Sequence, residues 1–194
     1  MGLATFIGGI HPFEGKELSE DKPIKYLEPL QGEVMVYPLS QHIGAPAKPL
    51  VAKGDHVLKG QIIAEAGGFI SANVLSSVSG TVKGIESKLV ANGAMVQSIL
   101  VENDGEEEAI EGFGTDRDAS KLSKEEIRQI VKDAGIVGLG GAGFPTHVKL
   151  TPKDENAIDY VIVNGAECEP YLTSDYRTMI ERPEQIIGGL KVML

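Results

Sequence analysis

Up to about Val101 the chain shows almost no helical periodicity. Short apolar runs alternate instead with Gly, Pro and Ser. Val34-Met35-Val36-Tyr37, Gln61-Ile62-Ile63-Ala64, Gly80-Thr81-Val82 and Ser98-Ile99-Leu100-Val101 each read as a strand bounded by turn residues. Helical spacing begins at Ser123, an N-cap candidate with Glu126 three positions on, which is the capping-box spacing. Leu122 and Ile127 are placed to close a hydrophobic staple across that cap, and Ile127, Ile130, Val131 and Ala134 form one apolar stripe ended by Gly135. Further on, Asp159-Tyr160-Val161-Ile162-Val163 predicts a buried strand that ends in Asn164-Gly165. Residues 175–194 predict helix with a restart at Pro183, and the run is still apolar at Leu194, as expected of a domain that continues past it.

The β-rich zone contains a weak internal repeat. Leu50-Val51-Ala52-Lys53-Gly54-Asp55-His56-Val57 aligns with Leu89-Val90-Ala91-Asn92-Gly93-Ala94-Met95-Val96 at an offset of 39 residues, with five of eight positions identical. Each copy predicts a strand, a tight turn at Lys-Gly or Asn-Gly, and a second strand. Two such units, each burying one apolar face, resemble the quasi-twofold sandwich of lipoyl and biotinyl domains. Those domains carry their cofactor on a lysine at the hairpin between the halves. Residues 61–82 contain no lysine, so carrier chemistry is excluded while the fold expectation stands. The expected fold is therefore mixed, α+β: an all-β barrel-sandwich module over residues 1–101, then an α/β region from residue 121.

Between them, residues 102–120 hold eight acidic side chains, from Glu102 to Asp118, a density expected of a solvated connector. Eighteen basic against twenty-eight acidic residues give a net charge of −10 over 194 residues, which disfavours nucleic-acid partners. One cysteine, Cys168, excludes an internal disulfide and cannot by itself hold an iron–sulfur cluster; it fits a reducing compartment. Flanked by Glu167 and Glu169, its thiolate is disfavoured by like charge, so a structural thiol is expected. His11, His42, His56 and His147 lack ligand spacing, and no metal site is expected. No segment has the length and apolarity of a membrane span, so direct membrane insertion is not expected.

The candidate chemistry lies in residues 138–149, Gly-Leu-Gly-Gly-Ala-Gly-Phe-Pro-Thr-His-Val-Lys. Gly138, Gly140 and Gly143 satisfy G-x-G-x-x-G, but a Rossmann reading needs a strand immediately before, and only Ile136 and Val137 separate the loop from the capped helix. What survives is physical. Glycines at 138, 140, 141 and 143 let the backbone pass close to a flat or charged ligand, and Lys149 sets a cation one turn into the following segment. A turn required only by packing is the alternative. Asn164, Glu167 and Glu169, after the predicted strand, could contact ring carbonyls and sugar hydroxyls, or simply face solvent.

Five motifs carry a resemblance: Gly8-Gly9-Ile10-His11-Pro12, Ser40-Gln41-His42-Ile43-Gly44-Ala45-Pro46, Ser76-Ser77-Val78-Ser79-Gly80-Thr81-Val82, the 138–149 loop, and Val163-Asn164-Gly165-Ala166-Glu167-Cys168-Glu169-Pro170. In this order they resemble the RnfC family of Rnf ion-translocating electron-transport complexes, and the last two resemble the NADH-binding flavin subunit of respiratory complex I. The resemblance implies a peripheral subunit at the cytoplasmic face, binding FMN and NAD(H) and passing electrons to [4Fe-4S] clusters beyond residue 194. Other subunits of the membrane complex are its implied partners. It implies Gly138, Gly140, Gly141 and Gly143 along the flavin, Lys149 at its phosphate and ribityl chain, and Asn164 and Glu167 as polar flavin contacts. Phe144 and Glu169 would meet the dinucleotide. Residues 121–194 would then be the start of an FMN/NADH-binding domain. Flavin subunits of complex I usually carry Asn-Ala-Asp-Glu where this chain has Asn164-Gly165-Ala166-Glu167, and an arginine at the place of Leu139. With those departures this stretch alone is expected to hold FMN weakly or not at all. A scaffold that docks the whole protein on its neighbours is the second function expected of the β-module.

Overall fold

The computed structural model describes residues 12–139 and 143–194. Gly8, Gly9, Ile10, His11, Gly140 and Gly141 lie outside the described residues. The chain forms two compact units, Glu28–Ala157 and a second that joins Met1–Leu27 to Ile158–Leu194.

Seven strands build the first unit: β1 Val34–Pro38, β2 Lys48–Pro49, β3 His56–Val57, β4 Ile62–Glu65, β5 Val74–Leu75, β6 Gly80–Leu89 and β7 Met95–Asn103. They make two antiparallel sheets, in the orders β1-β7-β6-β3 and β2-β4-β5. The expected barrel sandwich is therefore present. Its longest ladder pairs β6 with β7 from Gly80↔Asn103 to Leu89↔Met95. At Gly80 the backbones come so close that an added Cβ would lie 2.0 Å from the Glu102 carbonyl oxygen. Across this ladder Val82 faces Val101 and Ile85 faces Ile99, while β1 sets Met35 against Val101 and Tyr37 against Ile99. The second sheet brings Ile63, Ala64 and Val74 onto the same core, where Val57, Ile63, Val82, Ile99 and Val101 are fully enclosed. Each such side chain contributes about 1.5–3 kcal/mol of burial.

The two copies of the repeat diverge in structure. The second is a hairpin within one sheet, closed by Val90 N–H donating to Ala94 O over 2.9 Å. The first crosses between sheets: its turn at Lys53-Gly54 leads from β2, paired with β4, to β3, paired with β6. The shared residues specify the turn, and the pairing partner differs.

Polar groups in this core are all used. The Tyr37 hydroxyl lies 2.8 Å from Ser77 Oγ and accepts from Ser77 N–H at 3.0 Å. Buried Ser76 donates to Val78 O, and buried Ser79 donates to Asp104 Oδ1 at 2.6 Å. The Ser79 hydroxyl and then the Glu106 amide hold the Asp104 carboxyl below its ordinary range. The acidic segment is consequently exposed but not free. Asp104 also pairs with His56 at 2.9 Å, Glu107 with Lys59 at 3.2 Å, and Lys59 exchanges backbone hydrogen bonds with Glu108 and Ile110. The compact unit runs on through it to Ala157.

Helix α1, Lys124–Asp133, starts as expected: Ser123 Oγ accepts from Glu126 N–H and Glu126 Oε2 accepts from Ser123 N–H at 2.8 Å. It ends in a Schellman motif. Gly135 at φ +62° donates to Lys132 O, and Ile136 donates to Val131 O. A brace holds its exposed side. Lys124 reaches Glu155 at 2.8 Å, and Arg128 bonds both Glu155 and the Leu150 carbonyl. Lys124 and Arg128 pull the Glu155 carboxyl from its ordinary 4.5 to about 2. The single turn α2, Thr146–Lys149, follows the glycine loop.

In the second unit, α3 Ser174–Glu181 and α4 Pro183–Met193 realise the expected helices and the restart at Pro183. The arm preceding Leu27 wraps on them: Ile24 N–H donates to both oxygens of Glu181, and Arg177 donates to the Glu20 carbonyl. The strand expected over residues 159–163 is not formed. Tyr160 and Ile162 are more than four-fifths exposed, and no described residue pairs with the segment. An apolar run becomes a strand only when a neighbour takes its ladder hydrogen bonds.

Ile63→Ala should lower the unfolding free energy by about 2–5 kcal/mol, read as a fall in urea midpoint at constant slope. The Glu155 carboxyl, depressed in the fold, stabilises fully above about pH 4.5 and loses that contribution as pH falls towards 2. Between pH 5 and 2 the urea midpoint should therefore fall less steeply for Glu155→Gln than for the unsubstituted chain. Parallel pH profiles would show the brace to be without effect.

Candidate functional site

The ends of the glycine loop are closed by a two-rung neck. Gly138 N–H donates to Phe144 O and Thr146 N–H donates to Ile136 O, each over 2.9 Å, with Val137 and Pro145 bridged antiparallel between them. Immediately before it the chain leaves α1 through Gly135, and immediately after it α2 begins. The neck thus holds residues 138–144 as a closed loop on the end of α1. Leu139 is wholly solvent-exposed and Phe144 is half-buried. Gly143 adopts φ +60°, and a Cβ there would stand 2.9 Å from the Gln41 carbonyl oxygen. Its glycine is required by backbone conformation and by close approach together. Lys149 places its ammonium 6.0 Å from the centre of the Phe144 ring, at the outer limit of a cation–π contact. Gly138, Gly143, Phe144 and Lys149 are therefore together. His147 between them is kept below its ordinary range by burial and by Lys132, with the Phe69 carbonyl opposing, so its ring adds no charge at neutral pH.

Asn164, Glu167 and Glu169 belong to the other compact unit. Asn164 Oδ1 accepts from Ala166 N–H at 3.0 Å, an Asx turn that leaves its amide NH₂ as the group it can offer. Glu167 Oε1 accepts from Tyr176 N–H at the first turn of α3. Glu169 is exposed, and its carbonyl, with that of Leu172, receives Lys16 Nζ at 3.1 and 2.7 Å. Lys16 was not legible as a site residue: it acts 153 positions away, and nothing local marks it. Cys168 is exposed. Among the described residues no group of three or more His, Cys, Asp or Glu is placed to hold a metal ion. No described helix is long and apolar enough to cross a membrane.

As a donor set these residues fit a flavin mononucleotide. Gly-rich main chain admits a flat ring, the Lys149 ammonium suits a phosphate, and an amide donor with two carboxylates suits ring carbonyls and sugar hydroxyls. The carboxylates would repel a phosphate, which leaves Lys149 as the anion-facing group.

Comparison with known proteins supplies two family matches. Residues 4–106 match the RnfC barrel sandwich hybrid domain, and residues 131–194 match the Nuo51 FMN-binding domain. The chain is 45% identical over 192 residues to the RnfC-type component of the proton-translocating ferredoxin:NAD(+) oxidoreductase complex of Clostridium ljungdahlii, covering 99% of this chain and 42% of that protein. It is 44% identical over 193 residues to the Na(+)-translocating counterpart of Acetobacterium woodii, covering 98% and 42%. To the corresponding component of the ion-translocating oxidoreductase complex of Rhodobacter capsulatus it is 43% identical over 188 residues, covering 96% and 36%. The chain spans about two fifths of the length of the first two of these relatives. Since the barrel-sandwich match runs over more than half of its residues and the structure contains that sandwich, the chain belongs to the RnfC family.

Proposed function

We propose that this chain is the N-terminal part of a peripheral redox subunit in a membrane-bound, ion-translocating NAD:ferredoxin oxidoreductase. In this reading it works at the cytoplasmic face among the other subunits of the complex. Residues 121–194 begin the domain that holds FMN and NADH, and iron–sulfur clusters in the rest of the polypeptide take the electrons onward. The observation that carries the reading is the match of residues 131–194 to an FMN-binding domain, on a chain whose glycine loop presents its backbone and one cation together. When bound, the flavin supplies the change from two-electron hydride uptake to one-electron release. The protein supplies position. Gly138, Gly140, Gly141 and Gly143 would give backbone approach along the ring, Lys149 would hold the phosphate and ribityl end, and Asn164 and Glu167 would make polar contacts. Phe144 and Glu169 would orient the dinucleotide, by stacking and by hydrogen bonding. No side chain is required as a general acid or base, because the transferred hydride passes between the two ligands.

In the intact complex, Lys149→Ala should lower NADH oxidation at least tenfold and reduce bound flavin while assembly remains normal. Full flavin content and full turnover would overturn the assignment. For the 194-residue chain alone, flavin fluorescence quenching should give a Kd weaker than micromolar; micromolar or tighter binding would show the departures at Leu139 and Ala166 to be harmless.

A further inference from the structure

The Ser40-Gln41-His42-Ile43-Gly44-Ala45-Pro46 motif forms no strand or helix and touches no proposed ligand group, yet it is heavily tied into the β-module. Its partner is the hairpin tip over residues 66–73, where carrier domains of this shape expose a lysine. Ala45 N–H donates to Ile70 O at 3.0 Å, and Ser71 Oγ donates to Ala45 O at 2.8 Å while accepting from Gly67 N–H. A Cβ on Gly44 would lie 2.1 Å from Ile70 O. At the centre is His42, about nine-tenths buried, whose Nε2 receives the Ala72 N–H at 3.1 Å. An amide can only donate, so Nε2 carries no proton; the ring is neutral with its hydrogen on Nδ1, which donates to Ile43 O at 3.1 Å.

The elements around the glycine loop rest on these same two segments. Gly143 packs on Gln41 O and on His42 Cα, where a Cβ would come within 2.9 and 3.3 Å. A Cβ on Gly135, before the neck, would lie 2.4 Å from Asn73 O, and Asn73 Nδ2 reaches the last carbonyls of α1. The His147 ring of α2 faces the Phe69 carbonyl. The entry, the exit and the following turn of the loop are thus each referenced to one locked pair of β-module loops.

We infer that this pair of loops is the seat that fixes the glycine loop, and that His42 is a positioning residue for the ligand the loop holds. The inference rests on the proposed flavin reading for the nature of that ligand, and on the geometry alone for the seat. The tip that carries a swinging cofactor arm in lipoyl-type domains here serves as a rigid platform. His42 acts through Ala72 and through the main chain under Gly143, without contact to the ligand.

The test is amide hydrogen exchange on the 194-residue chain carrying His42→Phe, which keeps ring volume and removes the acceptor, and His42→Gln, which offers an acceptor again. His42→Phe should speed exchange of Ala72 and also of the neck amides Gly138 and Thr146 by about tenfold or more, the scale expected when a buried donor loses its partner. The β6–β7 ladder should stay protected, and His42→Gln should restore all three amides. Acceleration confined to Ala72, or neck amides that respond equally to Phe and Gln, would overturn the seat. If His42→Phe loses the β6–β7 ladder, Gly143→Ala decides the matter: neck amides that stay as slow as in the unsubstituted chain would overturn it. In the intact complex His42→Phe should also weaken FMN retention about tenfold, with retention restored by Gln. Altered neck exchange with unchanged FMN retention would overturn the positioning role. A flavin found away from the loop would sink the flavin reading while leaving the exchange result to decide the seat.

Discussion

The β6–β7 ladder is the constraint on which the first unit depends. It carries β1 on one edge and β3 on the other, and its inward side chains Val82, Ile99 and Val101 are the centre of the core. Because strand pairing fixes register residue by residue, everything attached to its ends is fixed as well. At the Gly80 end the backbones touch too closely for any side chain, and there Ser79 and Asp104 tie the start of the acidic segment to the sheet. The role of that segment follows: its carboxylates pair with His56 and Lys59 and accept from serine hydroxyls and backbone amides, so a run of like charge is ordered instead of repelled into solvent.

From the same core a second line runs towards function. The hairpin tip between β4 and β5 is locked to the 41–46 loop, and α1 and the glycine-loop neck lean on both. A loop meant to present backbone to a ligand cannot be steadied by its own side chains when it has almost none. Its stiffness must come from what lies beneath. Here that support is a β-module that lacks the lysine by which its architectural relatives carry a cofactor, and that has the rigid tip.

Several local features were legible because their physics spans only a few residues. The capping box of Ser123 and Glu126, the left-handed stop at Gly135, the restart at Pro183 and the strands around Val36, Ile63 and Ile99 all appear where the pattern puts them. The glycine loop and Lys149 were legible as chemistry, and the structure adds the neck that closes the loop. Asn164 and Glu167 were legible as polar residues after an apolar run. That they cap an Asx turn and a helix start was not, since the partners Ala166 and Tyr176 offer backbone amides that every residue has.

What the sequence determined alone was the inventory of elements, the absence of a carrier lysine and the family motifs, all properties of short windows. Tertiary structure decided the rest: that one repeat copy stays within a sheet while the other crosses sheets, that residues 159–163 remain without a strand partner among the described residues, and that His42 underlies Gly143. Each of these turns on a contact between residues far apart in the chain. Hydrogen-bond donors and apolar faces declare that a partner is needed, but only the closed packing of the chain names which one.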